Sequence, residues 1–232
     1  MIKFFEKFSE ILAVMSERED GSTKLLKGNE VNLKNRKKFF ARINPERKKI
    51  VSAEIVHGNR AEIVDGESPE LVLGADGLVS KGKNIFLSVT IADCIPVYFY
   101  DPENQIFGIA HCGWRGIVAG IIGGMIGKME EAGGQSEDLH VALGPGIEKC
   151  HFEIKEDVLE KFSGHENFIE RRDGKIFADL KGIIKSQLQK LGVLEENIEN
   201  DPICTFESDR FFSFRRDRPK EVEAMVALIG IK

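Results

Sequence analysis

The chain has 232 residues, 42% of them hydrophobic and 31% charged, enough apolar material for a sizeable core. Thirty-eight acidic residues outweigh thirty-three basic ones, and the net charge of -5 excludes a protein that works by bulk electrostatic attraction to nucleic acid or anionic lipid. Five histidines exclude a blue-copper oxidase with several copper centres, which needs roughly twice as many imidazoles, but they leave room for a single metal site.

At the N-terminus Phe4, Phe5, Phe8, Ile11 and Leu12 fall at helix-like spacing, and Ala13–Ser16 reads as a strand entering a turn at Asp20–Gly21. No signal peptide is expected, because Lys3, Glu6, Lys7 and Glu10 interrupt everything before the short apolar run Ile11–Met15. The basic stretch 25–49 predicts a solvated surface helix with loops. From Ile50 onward, short apolar runs broken by Gly and Asp predict strands over Val51–Val56, Ala61–Val64, Ile85–Thr90, Pro96–Tyr100 and Ile106–Ala110. Ile117, Ile121, Ile122, Met125 and Met129 then recur with helical period, predicting one helix over Gly116–Ala132. Its glycines suggest close packing on a sheet. Leu139–Leu143 reads as a strand ending in the turn Gly144–Gly146. Helices are expected over Asp157–Phe162 and Leu180–Leu191, and strands over Ile203–Thr205 and Phe211–Phe214. No repeat or linker interrupts the chain, so the expectation is a single α/β domain over residues 1–232. No run approaches the roughly twenty apolar residues of a membrane span. The four cysteines show no CxxC spacing and read as free thiols in a reducing compartment, which points to a soluble cytoplasmic protein.

Three segments place a metal-competent side chain at the end of a predicted strand: His57 in Val56–Arg60, Cys94 in Ala92–Pro96, and His111 in Ala110–Gly116. Two imidazoles and one thiolate are the donor type of a catalytic zinc with its fourth position open. Spacing alone leaves open that they are three unrelated polar residues at a sheet edge. Gly113, Trp114 and Arg115 should open the following helix, whose N–H groups, with the Arg115 cation, suit a phosphate. Trp114 as a core plug is the alternative. Arg215, beside Phe211, Phe212 and Phe214, suits either stacking on a base or plain packing. Cys150–His151 looks ligand-like, yet neighbours on an extended segment point oppositely, so one site is not expected to use both.

The motifs ADGLV (Ala75–Val79), TIADCIPV (Thr90–Val97), AHCGWRG (Ala110–Gly116), LGPGI (Leu143–Ile147) and CTFESDRFFSFRRD (Cys204–Asp217) occur in an order that resembles the polyphenol oxidase or laccase-domain family. Many of its members are named purine nucleoside phosphorylases. The resemblance, over residues 11 to 229, implies one domain of mixed β-sheets flanked by helices, related to cysteine hydrolases. It also implies one zinc, or copper, held by His57, Cys94 and His111. The activities implied are phosphorolysis of adenosine, inosine, guanosine and methylthioadenosine, with deamination of adenosine. The partners implied are therefore purine nucleosides and phosphate. The sequence departs from the family pattern at Ile55, where Gln is usual, at Cys112, where Ala is usual, in the N-terminal Arg18–Gly21 element, and in lacking a Gly–Arg near Lys220–Met225.

Mechanistically, Asp93 is a candidate for proton transfer or for support of the ligand Cys94. Arg115 and the helix start would hold phosphate, with Arg215 as a second cation. Two competing readings keep the same residues. In one, Cys94 is a nucleophile and His111 its base, in a hydrolase of amide or peptidoglycan-type substrates. In the other, Cys112 or a further residue closes a four-ligand, non-catalytic metal site.

Overall fold

Short apolar runs buried on both faces build two facing sheets. The computed structural model describes residues 1–25, 29–44 and 48–232. The first sheet has the order β1 (Ile2–Phe4), β2 (Ile11–Met15), β15 (Met225–Ile231), β7 (Ile85–Ile91), β3 (Lys49–Ala53), β5 (Leu71–Val72). The second runs β14 (Ile198–Asn200), β10 (His140–Leu143), β8 (Ile95–Asp101), β9 (Ile106–Cys112), β6 (Gly77–Ser80), β4 (Ala61–Ile63). Both mix parallel and antiparallel pairs: β3 runs parallel to β5 and β7, whereas β8 and β9 are antiparallel. A small third sheet, β11 (Glu153–Ile154), β13 (Lys175–Ala178) and β12 (Ile169–Arg172), has no counterpart in the sequence reading.

Side-chain parity explains the layering. Along β15, Met225, Ala227, Ile229 and Ile231 enter the core shared by the two sheets, while Val226 and Leu228 face outward. Helix α1 (Glu30–Ile43) covers that outer face with Phe39, Phe40 and Ile43. Along β8, Tyr98 and Tyr100 face the shared core, and Val97 and Phe99 face the other way. There they meet α2 (Trp114–Val118), α3 (Ile121–Glu131) and α5 (Leu180–Lys190). Helices α4 (Glu156–Leu159) and α6 (Phe214–Asp217) are single turns. Among the described residues, no helix is long and apolar enough to cross a membrane.

The mixed α/β expectation therefore holds, with local corrections. The N-terminal phenylalanines do not form a helix. Strands β1 and β2 pair as a hairpin (Ile2 opposite Met15), and the turn between them buries Phe5 at φ 58 while Phe8 packs edge-on against Tyr100. The expected helix over Gly116–Ala132 breaks in two at Gly120, which sits at φ 89. Ile203–Thr205 and Phe211–Phe214 are not strands. Cys204 makes one isolated bridge to Gly146, and the surrounding loop is wrapped on Arg216, whose guanidinium donates to the carbonyls of Thr205, Phe206, Ser208 and Phe211. An arginine thus satisfies backbone groups that a neighbouring strand would otherwise pair. Within stretch 25–49, residues 26–28 and 45–47 lie outside the described residues. The helix it predicts is α1, solvated along Lys34, Lys37 and Lys38 but burying Arg36.

Candidate metal centre

At one end of both sheets, three connections converge. Residues 92–94 carry the chain from β7 in one sheet to β8 in the other, so Cys94 lies where the sheets meet. Strand β9 returns antiparallel to β8, setting His111 opposite Pro96. The loop between β3 and β4 brings in His57, held at φ 60. The ligand atoms of His57, Cys94 and His111 lie within 4.8 Å of one another, and the two imidazoles meet edge-to-face at 4.8 Å. His111 is buried, Cys94 half-buried and His57 exposed, so the group has an open side.

The carboxylate that organises this group is Asp76, in the turn before β6. Its Oδ1 lies 3.1 Å from His111 Nδ1 and accepts the His57 N–H at 2.9 Å, and its Oδ2 accepts the Gly58 N–H at 2.7 Å. One side chain thus orients a ring and the loop bearing a second ring. Burial opposes the Asp76 charge, yet His111 and the two N–H groups keep its carboxyl below the usual range. Burial likewise opposes a charged Cys94, but the adjacent His111 and His57 bring its thiol down to about 6. Burial also disfavours imidazolium at His111, and the neighbouring Cys94 and Asp76 nonetheless raise it to about 9. Asp76 lies within the ADGLV motif but was not among the candidate site residues expected from the sequence.

A metal fits these donors. A Cβ placed on Gly113 would stand 3.0 Å from Cys94 Sγ, 3.1 Å from His57 Nδ1 and 3.4 Å from His111 Cε1. Glycine at 113 therefore leaves open a cradle bounded by all three side chains. Two nitrogens, one thiolate and a carboxylate fixing the far nitrogen of one ring are the chemistry of a zinc or copper site. Cys112 does not join it: on β9 it points to the opposite face from His111 and is fully buried in the core beneath α2 and α3.

The other expected residues fall around the same opening. Asp93, at φ 77, is engaged away from the trio: Oδ1 accepts from Thr205 Oγ1 at 2.7 Å and Oδ2 from the Arg215 N–H at 2.7 Å. Gly113 caps α2, which is only one turn long, so Trp114 and Arg115 start a short helix rather than a long dipole. The Arg115 guanidinium lies 4.5 Å over the Trp114 ring and makes no hydrogen bond among the described residues. Arg215 is more engaged, donating from Nη1 to the Glu153 carbonyl at 2.9 Å and packing on Phe152. All of these residues, with Phe206, Phe214 and Lys175, line a cleft of about 1190 Å³ whose floor holds the trio. Ile55, one of the departures from the family pattern, lines it as well.

Cys150 and His151, which also line this cleft, belong to a second donor group. Cys150 and His151 stand on a turn, not an extended segment, since the N–H groups of His151 and Phe152 both donate to the Glu148 carbonyl. The turn aims both side chains the same way and overturns the expectation that they diverge. Their donor atoms and Cys204 Sγ lie within 4.8 Å of one another. Burial, with Cys204 and Glu207 alongside, pushes the Cys150 thiol up to about 12.

Residues 27–232 match the family described as multi-copper polyphenol oxidoreductase laccase. The chain belongs to this family. Among similar laccase-family proteins is one of Deinococcus radiodurans named purine nucleoside phosphorylase, 33% identical over 83% of this chain and 70% of its own length. Another, purine nucleoside phosphorylase Cj1217c of Campylobacter jejuni, is 34% identical over 79% of this chain and 78% of its own. The crystal structure of YlmD from Geobacillus stearothermophilus superposes with a TM-score of 0.90 at 27% identity, covering 98% of this chain and 94% of that one. These likenesses point to an enzyme resembling nucleoside phosphorylases, and the His/Cys trio is its candidate metal site.

Proposed function

We propose that this laccase-family chain is a purine nucleoside phosphorylase acting on adenosine, inosine, guanosine and methylthioadenosine, with deamination of adenosine at the same site. The observation that carries this reading is the trio, backed by the buried Asp76, at the floor of a cleft walled by aromatic and cationic side chains, a chemistry suited to a purine, a ribose and a phosphate. His57, Cys94 and His111 would hold one zinc ion, copper being the alternative, and Asp76 would fix the orientation of His111. When bound, the ion supplies Lewis-acid polarisation and lowers the proton affinity of water.

Arg115, stacked on Trp114 and without a hydrogen bond among the described residues, would grip phosphate, and the less exposed Arg215 stiffens the wall beside it. Phe206 and Phe214 offer ring faces for the base, and Phe214 is 53% exposed at the cleft. In phosphorolysis a phosphate oxygen bonds to C1′ as the C1′–N9 bond breaks, and the purine leaves with a proton. Holding the anion in line with that bond is work that fixed cations do well. Asp93 would act through structure, tying the Arg215 segment to the Cys94 turn by its two hydrogen bonds.

A second reading rests on Cys94, His111 and Asp76 as a thiolate, an imidazolium and an orienting carboxylate, the order of groups in a cysteine hydrolase of amide or peptidoglycan-type substrates. Metal content separates the two, because a thiolate that ligates zinc is not available as a nucleophile. The test incubates zinc-loaded protein with adenosine and phosphate. Adenine with ribose-1-phosphate, and inosine from deamination, are expected, with loss of both in a His111→Ala variant. Absence of all three products from metal-replete protein refutes the proposal.

A further inference from the structure

The second donor group, Cys150, His151 and Cys204, takes no part in the function proposed above. His151 Nδ1 lies 3.1 Å from Cys150 Sγ, 3.9 Å from Cys204 Sγ and 3.5 Å from Glu207 Oε1. One ring nitrogen thus faces two sulfurs and a carboxylate oxygen. A single N–H cannot satisfy three acceptors, whereas a cation among them would draw on every one.

The surrounding structure holds these donors in place. The His151 ring is stacked on Phe206 with centroids 4.3 Å apart and planes at 17°. Arg172 donates to the Cys150 carbonyl at 3.1 Å, anchoring the turn. The Glu148 N–H donates to Cys204 Sγ at 3.4 Å, the Thr205 N–H donates to the Gly146 carbonyl at 2.9 Å, and Gly146 bridges Cys204. The two donor-bearing segments are therefore in register before any ion arrives. Two thiols and an imidazole select a borderline-soft cation, and too few oxygens are present for calcium or magnesium.

We propose that Cys150, His151 and Cys204, with Glu207 as fourth donor, form a second zinc site, distinct from the His57, Cys94 and His111 trio. Binding forms two Zn–S bonds and releases the two thiol protons to solvent, with no change of oxidation state. Four protein donors make it a closed, structural site. Its effect is to lock the Gly146–Phe152 turn to the Cys204–Glu207 loop and so to fix one wall of the cleft. This inference stands whether or not the cleft carries a phosphorylase.

The test strips the full-length protein with chelator, reloads it with Zn²⁺, removes excess ion and counts metal per folded chain. Two are expected for the unmodified protein, one for His57→Ala, and one for the double variant Cys150→Ser with His151→Ala. After loading with Co²⁺ instead, the double variant should lose the thiolate-to-cobalt absorption of two sulfurs, and His57→Ala should retain it. If the double variant does not fold, His57→Ala decides alone: one retained ion with the absorption of two thiolates supports the site, and an ion with one thiolate overturns it. A single zinc in the unmodified protein, kept by the double variant, also overturns it. So does a thiol titration of the unreduced, denatured protein that finds Cys150 and Cys204 joined as a disulfide.

Discussion

At the residue scale the candidate metal centre is shaped by a glycine and a carboxylate. Gly113 has φ -80, which any residue adopts, so its value lies in the missing side chain rather than in backbone freedom. Gly113→Ala is expected to fold with near-unchanged stability yet to retain zinc at least about tenfold more weakly, because the methyl enters the cradle of all three ligands. Equilibrium dialysis against a competing chelator measures this, and unaltered retention would show that the ion sits elsewhere. Asp76→Asn keeps the size of the side chain and removes its charge. It should lower metal affinity by about 10–100-fold, and product formation with it, whereas Asp93→Asn should chiefly loosen the Thr205 and Arg215 segment. Metal titration of the two variants side by side distinguishes an orienting carboxylate from a structural one.

At the scale of elements, close approach of backbone decides where the His57 loop lies. A Cβ on Gly116 would stand 2.5 Å from the Gly58 carbonyl oxygen, and one on Gly124 would stand 2.9 Å from that of Asn59. Helices α2 and α3 thus pack directly against the loop that carries His57, so Gly124, one of the glycines that suggested sheet packing, serves a loop instead. On the opposite face α1 buries Arg36 with no carboxylate hydrogen-bond partner among the described residues. Its Nη2 donates to Ser52 Oγ at 2.8 Å and Ser88 Oγ at 2.7 Å, and its guanidinium lies over Phe40. Burial lowers it to about 10. Arg36→Ala should cost about 2–4 kcal/mol in urea denaturation, from the cavity and the lost packing of the stem. A change within 0.5 kcal/mol would mean that α1 contributes little to holding the sheet.

Across the whole molecule, residues far apart in sequence are joined at the chain's two ends. Glu17, following β2, accepts from the Arg210 guanidinium at 2.9 Å and from the Met1 ammonium at 2.7 Å. The Arg210 hydrogen bond holds its carboxyl below the ordinary 4.5, against the cost of burial. The sign follows from linkage: the unfolded chain takes up the proton first, so this stabilisation is complete above about pH 4.5 and is lost as pH falls through the lower folded value. Glu17→Gln should therefore be less stable at pH 7, by about 1–2 kcal/mol, and the difference from the unmodified protein should shrink below pH 4. Thermal melts across that range test it, and a difference constant with pH would exclude Glu17 as the titrating group.

The sequence by itself picked out His57, Cys94 and His111 as candidate donors, because each follows an apolar run of strand length and falls in or beside a family motif, but it left open whether the three side chains meet. It determined most of the central strands as well, because the length and β-branched content of an apolar run are local properties. What it could not carry was which edge meets which. Asp76 joined the trio only through the pairing of β6 with β9, which sets the residue before one strand beside the end of the other. Cys150 and His151 became neighbours of Cys204 only through a turn and a single bridge across more than fifty residues. Helix-like spacing among the N-terminal phenylalanines misled because their partners, Tyr98 and Tyr100, lie on another sheet. Local pattern fixes which groups a strand end can offer, and only long-range pairing decides which of them meet.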